Sequence, residues 1–327
     1  MPRLTPSSYA FSLVLGLSLT PASAQAGPLA DRLRERLHAT EQPQDTEDGA
    51  EDTLAPPGPK PSVQDQAYGP DPRQVLDVYL PPRPRRSSDA PLILMIHGGG
   101  WHRGDKAMGR VISHKAERWL PQGFVLVSAN YRMLPDTPVE GQLEDVARAL
   151  AHVQQRARSW GADPAQIILM GHSAGAHLVA LLGAHPGRWQ GLGVRPWLAT
   201  IPLDSAAMDV PALMTRRHPA RIYDPAFGTD PSRWAALSPS HALHADARPM
   251  LIVCSTRRPD QPCRESEALQ QQALRLGVTA ELLPQALSHR ETNEQLGLPG
   301  PYTTQVEAFM ARLSPQLAEH LKRPPAP

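Results

Sequence analysis

The chain has 327 residues, 41% of them apolar, with 33 Lys and Arg against 32 Asp and Glu. That is enough apolar material for one large domain with a sizeable core. Nothing in a near-zero net charge points to nucleic acid or an anionic membrane, so a small or neutral molecule is the expected partner.

In chain order, Arg3 precedes an apolar run from Ala10 to Leu19, then the small-x-small steps Ala22-Ser23-Ala24 and Ala24-Gln25-Ala26. This pattern predicts a secretory signal peptide over residues 1–26. Its apolar run is about half of the roughly 18 residues a spanning helix needs. The mature chain is therefore expected to be exported, periplasmic or extracellular, with no stable membrane insertion. No cysteine lies near the cleavage site to take a lipid. Residues 27–62 read as a short amphipathic helix (Leu29, Leu33, Leu37) and a Pro-rich acidic linker from Glu41, too poor in large apolar residues to order itself.

A domain over residues 63–320 follows, with a tail at 321–327. It alternates β-type runs with helical patterns, which predicts an α/β fold with a mostly parallel central sheet flanked by helices. Strands are expected at Val75 to Leu80, Leu92 to Ile96, Val125 to Ala129, Ile167 to Met170, Leu198 to Leu203, Met250 to Cys254 and Thr279 to Leu283. Helices are expected at Lys106 to Leu120, Val139 to Arg158, Ala174 to Leu182, Arg264 to Leu276 and Pro301 to Leu313. In such a sheet the ligand site lies beyond the carboxyl ends of the strands. Cys254 and Cys263 are the only cysteines. An oxidising compartment permits a disulfide between them, the alternative being two small buried thiols. No His or Cys pair stands around them at zinc-ligand spacing.

Two motifs carry chemistry. Gly171-His172-Ser173-Ala174-Gly175 fits G-x-S-x-G, a strained strand-to-helix turn that lifts a nucleophilic Ser clear of a sheet. Its context supplies the strand before and the apolar helix after. His97-Gly98-Gly99-Gly100-Trp101 follows a strand, and the N–H groups of Gly99 and Gly100, with that of Ala174, would form an oxyanion hole.

On these motifs the chain resembles the α/β-hydrolase superfamily, specifically the HGGG-motif esterases related to hormone-sensitive lipase and the HGGW-type esterases and arylformamidases. The likeness runs from Gln66 onward and includes Gln74 to Pro81, Asn130-Tyr131-Arg132 and Gly171 to Leu182. His172, where the lipase branch often has Asp, favours the HGGW-type branch. The resemblance implies the chain order Ser, acid, His. His289, after the last strand, is then the general base. The family usually places its acid just beyond the strand that here is Met250 to Cys254, where an ungapped reading puts Arg258. Asp260 is the nearest carboxylate and is taken as the triad acid, with Asp204, after the preceding strand, and Glu265 as alternatives.

The expected reaction is hydrolysis of a small-molecule carboxylic ester with a short or medium acyl group, through an acyl-enzyme on Ser173, requiring neither cofactor nor metal. Trp101 and Tyr131 are expected to bind substrate. Met208 to His244, with Met214, Tyr223, Phe227 and Trp234, is either a small lid or a segment packed on the body. Arg216, Arg217 and Arg221 on it either bind an acidic group or form a solvated basic face. An amidase or formamidase would use the same residues, and a non-catalytic binding protein of the same fold is the alternative outside enzymes.

Overall fold

The structure, a computed structural model, describes residues 57–83, 86–216 and 221–323. The expected signal peptide, the helix after it, most of the linker, Arg217 and the last four residues of the tail lie outside the described residues. Eight strands form one sheet: β1 (Val63–Ala67), β2 (Val75–Tyr79), β3 (Ala90–Ile96), β4 (Val125–Ala129), β5 (Ala162–His172), β6 (Ala199–Leu203), β7 (Met250–Ser255) and β8 (Ala280–Gln285). Their spatial order is β1-β2-β4-β3-β5-β6-β7-β8. The β1–β2 and β2–β4 pairs are antiparallel, and every pair from β4 onward is parallel. All seven expected strands are present. β1 is additional: Val-Gln-Asp-Gln-Ala has no apolar run to read, because an edge strand with one partner is not buried on both faces.

The helices are α1 (Gly109–Trp119), α2 (Val139–Arg156), α3 (Ala174–Ala184), α4 (Val210–Met214), α5 (Tyr223–Phe227), α6 (Pro231–Ala236), α7 (Pro239–Ala242), α8 (Pro262–Arg275), α9 (His289–Glu294), α10 (Pro301–Leu313) and α11 (Pro315–Leu321). Along β3, Leu92, Leu94 and Ile96 point into a core completed by Leu143, Val146 and Leu150 of α2. The intervening Ile93 and Met95 point to the opposite face, against Ile112 and Trp119 of α1 and Val306 and Phe309 of α10. Strands covered on both faces read as unbroken apolar runs, which is why the interior of the sheet was legible. Every residue of α3 is buried, as a helix apolar all round must be.

Residues 57–62, placed in the linker by composition, are tied to the domain by backbone bonds. Gly58 N–H donates to Ala107 O, Ser62 N–H donates to Val78 O, and Ser62 Oγ accepts from Leu80 N–H. Strand-like pairing orders these residues without apolar burial, a contribution that composition does not reveal. Cys254, at the end of β7, and Cys263, in the first turn of α8, are joined by a disulfide.

Candidate active site

Each parallel strand from β3 to β8 delivers a chemically distinctive residue at its carboxyl end. Behind β5, Ser173 turns the chain with φ 56° and ψ −117° before α3 begins. A Cβ on Gly171 would lie 2.4 Å from Gly175 O, and one on Gly175 would lie 2.4 Å from Ile96 O. The glycine spacing is therefore a steric condition for closing the turn. Ser173 N–H donates to Leu203 O at 3.0 Å, fastening the elbow to the end of β6.

His289 opens α9, whose start is set by a capping box: Ser288 Oγ accepts from Glu291 N–H, and Glu291 Oε2 accepts from Ser288 N–H. Lys115 of α1 donates through Nζ to Asn293 O and Oδ1, holding the same helix from below. His172, the variable position of the elbow, donates from Nε2 to His289 O at 2.9 Å. Burial, with the neighbouring His289, holds the His172 imidazole well below its ordinary value, so it stays neutral and keeps that tautomer. The residue that distinguishes this elbow thus positions His289.

His289 Nε2 lies 2.9 Å from Ser173 Oγ, and its Nδ1 lies 2.6 Å from Asp204 Oδ2. Asp204 follows β6, is fully buried, and has φ 56°. Its Oδ1 accepts from Ser255 N–H at 2.8 Å. Burial alone would raise its carboxyl. The Arg258 guanidinium, together with the bonds from His289 and Ser255, outweighs that and holds it far below the usual carboxylate range.

The structure places Asp204, not the expected Asp260, against His289 Nδ1. Asp260 does not face His289; it takes two bonds from Arg258, Nε to Oδ1 at 2.9 Å and Nη2 to Oδ2 at 2.5 Å. Arg258 Nη1 stands 3.0 Å from Asp204 Oδ2 and 2.8 Å from His289 Nδ1. The usual acid position after β7 is thus held by a cation that balances the buried Asp204, and Asp260 orients that cation. Glu265 is paired with Arg216 at 2.8 Å, away from the imidazole. The sequence signal for Asp204 was its place directly after a buried strand, but charge pairing in space is what separates it from Asp260.

Trp101 and Tyr131 are also placed differently from expectation. Both are buried, Tyr131 completely. Tyr131 Oη donates to His97 O and its ring stacks on His97, while Trp101 Nε1 donates to His177 Nδ1 and its ring meets Phe227 edge-on. They brace the glycine loop from behind. Within that loop Gly99 has φ 117° and Gly100 φ 59°. A Cβ on Gly98 would lie 2.9 Å from Ser173 Cβ, so glycine there lets the loop approach Ser173. Among the described residues, the N–H groups of Gly99, Gly100 and Ala174 donate to no protein acceptor.

Over the loop lies the segment containing α4 to α7. Ile222 Cδ1 would be 2.3 Å from a Cβ on Gly100, and Tyr223 and Phe227 pack toward Trp101. Arg233 ties the segment to Glu140 of α2, and Leu237 O accepts from His177 Nε2. The aromatic residues of this segment are packing residues, while Ile222 reaches the glycine loop.

Buried neutral histidines make this region acid-sensitive. Burial pushes His97 and His177 down to about 4 from 6.5. The unfolded chain therefore takes up these protons first. The stability they confer is complete above pH 6.5 and is lost as pH falls toward 4. Denaturant unfolding at about pH 4.5 rather than 7 is expected to show a loss of roughly 2–3 kcal/mol per histidine. His177→Gln should flatten that dependence. An unchanged midpoint between the two pH values would contradict it.

Comparison with known proteins follows the same geometry. Residues 76–190 match the BD-FAE family model, a span containing the glycine loop and the elbow but neither Asp204 nor His289. In the solved structures, a truncated form of a carbohydrate esterase from gut microbiota superposes with a TM-score of 0.66 at 20% identity, over 82% of this chain and 99% of that truncated chain. Esterase B of Lactobacillus rhamnosis superposes with a TM-score of 0.61 at 21% identity, over 89% of this chain and 96% of that one. The chain has the α/β-hydrolase fold. Among curated proteins, this chain is 28% identical over 223 residues to esterase LipQ of Mycobacterium tuberculosis, covering 63% of this chain and 51% of that protein. It is 33% identical over 114 residues to isoprenylcysteine alpha-carbonyl methylesterase ICME of Arabidopsis thaliana, covering 35% of this chain and 25% of that protein. The chain thus spans about half of the first and a quarter of the second.

Proposed function

We propose that this α/β-hydrolase chain is a serine esterase acting on small carboxylic esters through an acyl-enzyme. The observation that carries the reading is the continuous line Ser173 Oγ, His289 Nε2, His289 Nδ1 and Asp204 Oδ2, with steps of 2.9 and 2.6 Å. Ser173 gives its proton to His289 Nε2 as Oγ attacks the ester carbonyl. Asp204 accepts from Nδ1–H, holding the required tautomer and stabilising the imidazolium. The N–H groups of Gly99, Gly100 and Ala174 receive the oxyanion. His289 then returns the proton to the leaving alcohol, and water repeats the sequence on the acyl-enzyme. The esterase names of the relatives support ester over amide substrates. Ile222 seated on Gly100 narrows the space above the glycine loop and supports short or medium acyl groups.

The test is labelling with a fluorophosphonate, followed by peptide mass spectrometry, and hydrolysis of p-nitrophenyl acetate, butyrate and decanoate. An adduct on Ser173 and fastest turnover on acetate or butyrate are expected. A folded protein that neither labels nor turns over any of the three would sink the esterase reading in favour of a binding protein.

Export of the mature chain belongs to the same proposal, supported by the leader pattern and by the Cys254–Cys263 disulfide. Among the described residues, no helix is long and apolar enough to cross a membrane. A Cys254→Ser, Cys263→Ser double variant is expected to lose about 2–3 kcal/mol of stability from the short loop closed by the bond, read by urea denaturation. Equal midpoints for wild type and variant would show that the bond contributes nothing.

A further inference from the structure

At the end of α3 remote from the nucleophile, about 16 Å along the helix, three side chains unused by the triad converge. His185 caps α3, and His244 and Asp246 lie in the connection between α7 and β7. One nitrogen or oxygen from each lies within 4.8 Å of the other two. The His185 and His244 rings stack at 4.5 Å, and His244 Nδ1 is 2.6 Å from Asp246 Oδ1. Gly187 N–H donates to Asp246 Oδ2 at 3.0 Å. A Cβ on Gly187 would lie 2.8 Å from that oxygen and 3.8 Å from His185 Nε2, so the glycine leaves space between carboxylate and imidazole.

Backbone bonds hold the two segments in place beneath these side chains. His244 N–H donates to Ala184 O and Arg248 N–H to Gly183 O, each at 2.9 Å.

We propose that His185, His244 and Asp246 bind a divalent transition metal of the zinc type, at a site separate from the triad. Two imidazoles and one carboxylate suit zinc, copper or nickel, whereas magnesium and calcium prefer oxygen donors throughout. With bonds of about 2.0–2.1 Å, the ligand atoms of a tetrahedral site are about 3.4 Å apart. Rotation of these partly exposed side chains closes the remaining gap. His185 also lines a cleft of 140 Å³ with Arg188, Trp189 and His241, and water would complete a tetrahedral set as the fourth ligand. A bound ion would clip the end of the nucleophile helix to the chain entering β7.

The test uses tag-free, chelator-treated full chain titrated with Zn²⁺, and separately with Co²⁺ as a visible chromophore. One equivalent is expected to bind with a dissociation constant of about 10 µM or tighter. Visible bands of low-coordinate Co²⁺ should appear, and the thermal midpoint should rise by about 5 °C at hundredfold excess over the dissociation constant. His185→Ala and His244→Ala should each weaken binding by about tenfold or more, with fluorophosphonate labelling of Ser173 unchanged. The absence of saturable binding below about 100 µM would overturn the assignment. So would one-equivalent binding that survives in a folded His185→Ala, His244→Ala double variant.

Discussion

Replacing Ser173 by Ala is expected to reduce kcat on p-nitrophenyl butyrate by about 10⁶-fold, with the fold retained. The size follows from the shared task of the triad: once the attacking oxygen is gone, His289 and Asp204 have no proton to move. What remains is the stabilisation that the glycine loop and Ala174 offer to attack by water, about 10³-fold over solution. The loss should fall on kcat, because the hydroxyl contributes its bond in the transition state. Burst kinetics with the wild type and none with the variant would confirm an acyl-enzyme. If the variant kept more than about one percent of wild-type turnover, the nucleophile would have to be sought elsewhere.

The second large effect separates the two candidate acids. Asp204→Asn is expected to lower kcat about 10⁴-fold, because an amide facing Nδ1 favours the wrong imidazole tautomer and no longer balances the imidazolium. Asp260→Asn is expected to cost about tenfold or less, because it loosens Arg258 without breaking the 2.6 Å contact between Asp204 and His289. Asp204→Asn should also lower stability by a few kcal/mol, as Arg258 would lose the charge of its fully buried partner. Paired pH-rate and urea measurements on both variants read the two effects independently. A reversed order, with Asp260→Asn the more damaging, would return the acid to the loop after β7.

The contrast between Asp204 and Asp260 also shows where reading along the chain stops. Local rules determined the parallel interior strands, since burial on both faces leaves continuous apolar runs, and the elbow, since Gly171 and Gly175 are required by contacts of 2.4 Å. The chain order implied by the family resemblance pointed to His289 beyond the last strand, and the structure brings its Nε2 to 2.9 Å from Ser173 Oγ. β1 was not legible because backbone pairing, not apolar content, holds it. α9 and α11 were missed because each is about two turns or fewer and is set by a Ser cap instead of an apolar period.

Which carboxylate meets His289 was decided by tertiary structure alone. Asp204 and Asp260 are both carboxylates near strand ends, and nothing in their spacing distinguishes them. Their roles follow from Arg258, which brings one carboxylate to each side of its guanidinium and leaves only Asp204 against the imidazole. The same holds for Trp101 and Tyr131, whose aromatic character suggested a substrate wall and whose burial makes them braces. It holds for His185 and His244 as well, 59 residues apart in sequence and stacked in space. Sequence determines what is local, a strand's pattern or a turn's glycines; which charges and rings meet is decided by the packing that brings distant segments together.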